Sequence, residues 1–269
     1  MTTAVAATSS TRDFAFDPHF LQALAADRNA AYRSAAPFPH IAIDDFLPLH
    51  TIEVLAAEFP GPDSDIWFRA EKTWESKRSC EIETRFPPTI KQVLREFNSS
   101  AFISFLEALT GIDGLIPDPH YRGGGLHSIS RGGNLGVHAD FNYYERLKLH
   151  RRLNVLLYLN DEWPSEFGGN LELWDDRMTH CVRAYSPQYN RCVIFSTTDD
   201  SYHGHPDPLN CPKHRTRNSL ALYYYTADRP DAERSTPHST LFQQRPDSSD
   251  KVPDLSNNLL KRIVRRLLR

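Results

Sequence analysis

The stretch NLGVHADF sets His138 and Asp140 two residues apart in a strand-like run. Side chains at i and i+2 of a strand leave the same face, so an imidazole and a carboxylate can be offered to one metal ion. A facial site with open coordination positions needs a third protein ligand, supplied from another strand. FSTTDDSYHGHP offers two, His203 and His205. A bare His-x-Asp also fits an ordinary strand whose polar side chains face solvent. TRNSLALYYYT repeats the i, i+2 spacing with Arg217 and Ser219. A planar guanidinium binds a carboxylate bidentately, and a hydroxyl beside it adds a donor. A metal with open positions next to such a clamp implies a small acid held between them. Taken alone, Arg217 reads as a surface arginine of the basic run KHRTR.

These residues need a scaffold. FDPHFLQALAADRNAAYRSA spaces Phe20, Leu21, Leu24 and Ala25 as a helix, with Asp17-Pro18 as its start. A strand is expected at about 39–46 and a helix from about Pro48 to Phe59. Residues 60–88 read as loop-rich, and PPTIKQVLREFNSSAFISFLEALTG holds one or two helices ended by Gly111. After His120 the chain becomes short strand-like runs separated by glycine, proline and asparagine. Strands are expected near 125–131, 135–140, 151–160, 170–175, 179–185, 190–196 and 216–226. Strands in succession with no helix between them suggest an antiparallel sandwich or barrel, its sheet buttressed by the earlier helices. The expected organisation is a disordered N-terminus at 1–12 and a single domain at 13–226. That domain divides into a helical part, 13–120, and a β core, 121–226. An extended arm and a basic C-terminal helix, 227–269, follow.

Composition excludes more than it assigns. The chain has 269 residues, 40% hydrophobic and 24% charged, enough for one sizeable domain. No apolar run approaches a membrane span, and the N-terminus lacks the basic and apolar regions of a secretory signal. Cys80, Cys181, Cys192 and Cys211 are scattered without a CxxC pair, so a disulfide framework or structural zinc site is not expected and a cytoplasmic location is. The net charge of -3 includes the basic end KRIVRRLLR. Residues 1–260 carry 26 basic and 34 acidic side chains, an acidic body that argues against nucleic-acid binding.

The order HAD, RRLNVLLYLNDEW, FGGNLELWD, RCVIFSTTDDSYHGHP, TRNSLALYYY resembles that of the iron(II)/2-oxoglutarate-dependent dioxygenases, the prolyl-4-hydroxylase-like group above all. PFPHIAIDDFLP is similar to the opening segment of bacterial members, so the resemblance runs from about residue 37 to 226. It implies a mainly β fold with flanking helices, built on a double-stranded β-helix (jelly-roll, cupin-like) core, and makes 13–226 a dioxygenase domain. It implies His138, Asp140 and His203 as the metal ligands and catalytic centre. Ser201-Tyr202-His203 matches the family's ligand two residues after a serine, whereas His205 stands where the family usually has valine. Arg217 matches the residue that binds the distal carboxylate of 2-oxoglutarate, with Ser219 its partner and Tyr158 a further hydrogen-bonding group. The insertion DPLNCPKH lengthens the spacing to Arg217 and leaves Arg215 as an alternative.

The implied cofactors are Fe(II), 2-oxoglutarate as cosubstrate and O2. The implied activity is hydroxylation of an unactivated C–H bond, with decarboxylation of 2-oxoglutarate to succinate. Asp140 fills a ligand position that halogenating relatives leave open, so hydroxylation is expected rather than halogenation. His127, Asn142 and Tyr144 are candidate substrate contacts. The substrate is expected to be a prolyl or amino-acid group, peptidyl or free, or a small metabolite. A non-redox cupin-like binding protein and a zinc hydrolase are the alternatives, and neither explains the pairing of Arg217 with Ser219. GGG at 123–125 reads as a turn, and Trp174, Cys192 and Tyr223–Tyr225 as core. The C-terminal helix, with Leu259, Leu260, Ile263, Val264, Leu267 and Leu268 on one side, is expected to pack on the domain or to form a homodimer or surface contact.

Overall fold

Asp17 caps the first helix: its carboxylate accepts from the His19 and Phe20 N–H groups, and Pro18 occupies the first helical position, where no N–H is needed. The computed structural model describes residues 15–253. The expected disordered N-terminus and basic C-terminal helix, with its homodimer or surface contact, lie outside the described residues. The helices are α1 (Pro18–Arg33), α2 (Leu49–Glu58), α3 (Pro88–Phe97) and α4 (Ser100–Thr110). Gly111 ends α4 at φ 74, the left-handed conformation that glycine adopts at no steric cost.

The strands, in chain order, begin with β1 (His40–Ile43), β2 (Phe68–Lys72), β3 (Glu75–Cys80) and β4 (Ile116–Pro117). The core follows with β5 (Gly125–Ser130), β6 (Leu135–Ala139), β7 (Tyr143–Tyr144), β8 (Leu149–Tyr158), β9 (Leu171–Trp174) and β10 (Cys181–Tyr185). β11 (Cys192–Ser196), β12 (His203–His205), β13 (Thr216–Thr226) and β14 (Leu241–Phe242) complete it. One sheet runs β1-β11-β8-β13-β5-β3 and the other β6-β12-β9-β10, joined where Glu75 of β3 meets Leu135 of β6. All pairings are antiparallel, and the two sheets make a nearly closed jelly-roll barrel.

Alternation along β8 and β13 divides core from site. Leu153, Val155 and Leu157 of β8, with Leu220, Leu222 and Tyr224 of β13, join the apolar faces of the four helices in the main core. Phe97 and Phe102 bring α3 and α4 edge to face at 4.7 Å, and the Tyr224 hydroxyl donates to the Phe97 carbonyl at 2.8 Å. Residues of the opposite alternation, Asn154 and Leu156 on β8 and Arg217 and Ser219 on β13, face the barrel interior. The helix layer thus fixes the strand whose other face carries the arginine.

The structure corrects several expectations. Residues 60–88 are not mainly loop: FRAEKTWESKRSC forms the β2–β3 hairpin. Its first strand is mostly exposed, so no apolar alternation announces it. The stretch 13–120 is not only helical, because β1–β4 join the sheets. The first strand stops at Ile43 rather than 46, before Asp45 turns to φ 50. Beyond β13, residues 227–253 form an arm whose β14 pairs with β6 beside the site.

Candidate metal and carboxylate site

β6 and β12 pair so that His138 lies directly opposite His203. Asp140 follows at the end of β6. The potential ligand atoms of His138, Asp140 and His203 all lie within 4.8 Å of one another. Nε2 of His138 is 3.6 Å from Asp140 Oδ1, and Nε2 of His203 is 3.4 Å from Asp140 Oδ2. Each imidazole is held by its other nitrogen: His138 Nδ1 meets the Gly136 carbonyl and His203 Nδ1 the Ser201 carbonyl, both at 2.9 Å. A carbonyl only accepts, so Nδ1 carries the hydrogen and each Nε2 presents its lone pair to the triangle. Ser201 sits two residues before His203 for a structural reason. Its buried hydroxyl donates to the Thr198 carbonyl and accepts from the Thr198 N–H, closing the turn into β12. Gly204 allows the close approach of the strands, since a Cβ there would lie 2.8 Å from the Gly136 and Leu135 carbonyl oxygens. His205 is not part of the triangle.

Asp140 is supported by two side chains that sequence reasoning missed. Arg151 NH2 is 3.0 Å from Asp140 Oδ2, and Asn154 Nδ2 donates to the same oxygen at 2.8 Å. Arg151 also donates from Nε and NH2 to Asn154 Oδ1, closing a three-residue network. Only 1% exposed, its guanidinium stacks 3.5 Å from the Tyr223 ring centroid and 4.6 Å from that of Phe141. Residues three apart on a regular strand face opposite ways. Here the register shifts between Tyr224 and Tyr225 of β13, which pair with Leu153 and Arg151, and the bulge turns both Arg151 and Asn154 inward. No local pattern in RRLN announces that bulge. Burial alone would raise the Asp140 carboxyl, but Arg151 and the two histidines hold it well below the usual carboxylate range. Burial, and then His138, take His203 down to about 4, so its imidazole is neutral at neutral pH.

Arg217 and Ser219 lie on the inward face of β13 and line the same cavity as the triangle. Arg217 is 5% exposed. It donates from Nε to the Gly169 carbonyl at 2.7 Å and from NH2 to the Tyr158 hydroxyl at 3.2 Å, with its guanidinium over the Tyr158 ring. Among the described residues, no carboxylate lies within ion-pair distance of Arg217. Gly169, at φ 77, clears its path: a Cβ would stand 2.5 Å from Leu209 Cδ2 and 3.0 Å from Arg217 Cδ. Tyr158 is fully buried behind Arg217 and positions it rather than lining the cavity. The alternative Arg215 donates to the Asp161 and Glu162 carbonyls, away from the cavity.

The cavity has a volume of about 580 Å³, with Leu156, Leu171 and Phe242 among its apolar walls and the β2–β3 hairpin at its mouth. His127 lines it, its Nε2 donating to the Gly123 carbonyl at 3.0 Å. Burial, and then Lys77, keep that ring neutral. Two of the candidate substrate contacts are corrected. Asn142 is spent on the arm, donating to Ser235 and to the Thr236 carbonyl and accepting from the His238 N–H. Tyr144 packs on Tyr225 outside the cavity. The arm delivers Phe242 against His138, ring centroids 5.3 Å apart, while Phe195 flanks His203 at 4.7 Å.

The 2OG-Fe(II) oxygenase superfamily model matches residues 124–225. The curated mouse (Mus musculus) protein prolyl 3-hydroxylase OGFOD1 is 24% identical over 206 residues, covering 70% of this chain. The chain spans about a third (33%) of that relative's length. Among solved structures, a Pseudomonas putida prolyl-4-hydroxylase superposes with a TM-score of 0.54 at 19% identity, over 77% of this chain and 99% of that one. A Trichoplax adhaerens prolyl hydroxylase, in complex with a hypoxia inducible factor oxygen degradation domain peptide fragment, gives 0.53 at 17% identity over 77% and 91%. The jelly-roll described above is the fold of these enzymes.

Proposed function

We propose that this chain, whose residues 124–225 match the 2OG-Fe(II) oxygenase superfamily model, is a 2-oxoglutarate-dependent dioxygenase that hydroxylates a prolyl residue in a peptide segment. One observation carries the reading. A His-Asp-His triangle and a buried arginine that has no carboxylate partner among the described residues face a single cavity. The donor set fits iron(II): two imidazole nitrogens and one carboxylate, preset on one side, would form a facial triad with open positions. Bound there, iron(II) with 2-oxoglutarate supplies the activation of O2, coupled to formation of succinate and CO2, that hydroxylates the substrate.

The chain's own residues place and shield that chemistry. Arg151 and Asn154 keep Asp140 anionic and oriented as a ligand, and the two Nδ1–H groups fix the ring planes of His138 and His203. Arg217 and Ser219 receive a carboxylate at the inner end, where an isolated guanidinium would otherwise be costly to bury. Phe195 and Phe242 cover the histidines and keep bulk water from them. At the mouth, the hairpin shows Phe68, 72% exposed, beside Arg69, Glu71 and Lys72. That mixed rim can grip main chain and side chains around one inserted residue, and the named relatives are prolyl hydroxylases.

No described helix is long and apolar enough to cross a membrane. We infer a reducing compartment, the cytoplasm, from the four free cysteines, and we keep a homodimer or surface contact as the reading of the basic terminal sequence.

The test supplies iron(II), 2-oxoglutarate, O2 and proline-containing peptides, with free proline for comparison. Succinate formed one for one with a peptide that gains an oxygen atom supports the proposal. Turnover of free proline alone would overturn the peptide assignment. Arg217→Ala is expected to weaken 2-oxoglutarate binding at least tenfold, as loss of a charge-assisted contact does, with metal binding retained. Unchanged 2-oxoglutarate affinity in that variant would contradict the clamp.

A further inference from the structure

His205 sits two residues beyond the ligand His203 on the same short strand, 3% exposed, and lines the cavity together with Arg217 and Ser219. Both of its ring nitrogens are shielded from solvent, and neither has a hydrogen-bond partner among the described residues. Its neighbours in the cavity differ in this respect. His127, His138 and His203 each engage a backbone carbonyl. An imidazole always carries at least one N–H, and leaving a buried donor unmade costs about as much as removing an established hydrogen bond. The backbone beside it is closely packed: a Cβ at Gly204 would lie 2.8 Å from the carbonyl oxygens of Leu135 and Gly136. Arg217 lines the same cavity, and among the described residues it has no carboxylate within ion-pair distance. A cation whose charge has no carboxylate partner and an imidazole without a hydrogen bond, among the described residues, therefore face one space that an anionic acceptor would complete.

Building on the dioxygenase reading, we propose that His205 is a specificity-determining residue of the cosubstrate pocket, donating an N–H to the carboxylate that Arg217 holds. A smaller apolar residue would fill space at this position without offering a donor. The imidazole makes the inner end of this pocket a three-donor receptor for a dicarboxylic 2-oxo acid, with Arg217 and Ser219 as the other two.

The experiment compares the parent with His205→Val and His205→Gln, using 2-oxoglutarate as titrant against anaerobic Fe(II)-loaded protein and Arg217→Ala as control. His205→Val is expected to weaken 2-oxoglutarate binding about tenfold, and His205→Gln, which restores an N–H donor, to recover much of the loss. Metal affinity should be unchanged in both. The metal-free His205→Val protein should be no less heat-stable than the parent, since the imidazole makes no hydrogen bond among the described residues. If Arg217→Ala loses 2-oxoglutarate and His205→Val does not, this inference is wrong while the oxygenase reading stands. If neither variant changes the titration, the carboxylate clamp itself is wrong. A large fall in the thermal midpoint of both His205 variants, with unaltered 2-oxoglutarate affinity, would make His205 a packing residue and overturn the proposal.

Discussion

Arg151 is the residue on which the metal site leans most heavily. It is held between Tyr223 and Phe141 and bonded to both Asp140 and Asn154, so its removal leaves a buried carboxylate without its counter-charge. Breaking one side of such a pair costs about 3–5 kcal/mol. Arg151→Met should therefore destabilise the metal-free protein by about that amount in urea unfolding. Zn(II) or Mn(II) should restore more stability to the variant than to the parent, because the cation takes over the compensation of Asp140. A metal-free variant as stable as the parent would contradict the network. The pairs His138 with Asp140 and Arg217 with Ser219 could be read as sharing a face from the i, i+2 spacing of a strand, and they do line one cavity, whereas His203 was preferred to His205 only through the family resemblance. Arg151 and Asn154 were not, because the bulge that brings them to one face is a property of the pairing with β13.

The arm after β13 closes one side of the cavity. It is fastened by Asn142, by the His238–Asp199 contact at 2.9 Å and by the β14–β6 pairing that seats Phe242 on His138. Asn142→Ala removes the acceptor of the His238 N–H and the donor to Ser235 and Thr236. Amide exchange at His238 is expected to speed up about tenfold, the scale of one lost hydrogen bond. Exchange at Val155 and Leu222, in the sheet centre, should not change. Equal protection at His238 in variant and parent would mean that the arm is held elsewhere. Asn142 was read as a substrate contact because it follows the ligand pair closely. Its true partners lie 93 to 96 residues along the chain, beyond any local pattern. The hairpin at the mouth was missed for the opposite reason, since its exposed strand has no buried face to leave a period in the sequence.

At the scale of the molecule, the barrel keeps several histidines neutral inside a helix-backed sheet. His127 and His205 are held well below 6.5 by burial first, and His203 falls to about 4. The unfolded chain binds protons at these positions as pH falls through about 6.5, before the folded metal-free protein does. Stability therefore rises with pH across that window. It is fully present above the unfolded value and lost as pH falls toward 4. The thermal midpoint of metal-free protein should drop steadily from pH 6.5 downward and level off above it, and a flat profile between pH 7 and 5 would contradict the assignment. Succession alone, glycine- and proline-punctuated strands after His120 with helices before them, pointed to an antiparallel sandwich or barrel, and the family resemblance narrowed it to a jelly-roll. β12 escaped notice because three residues, His-Gly-His, are too short to show a period, although they carry His203 of the triangle.

The central claim, that the His138–Asp140–His203 triangle and Arg217 together hold iron(II) and 2-oxoglutarate, needs no substrate to test. Metal-free protein is charged with Fe(II) and then 2-oxoglutarate under anaerobic conditions while the visible spectrum is recorded. The expected result is the charge-transfer band of an iron-bound 2-oxo acid, present in the parent and lost in His138→Ala. Folded, iron-loaded parent protein that shows no such band would contradict the claim.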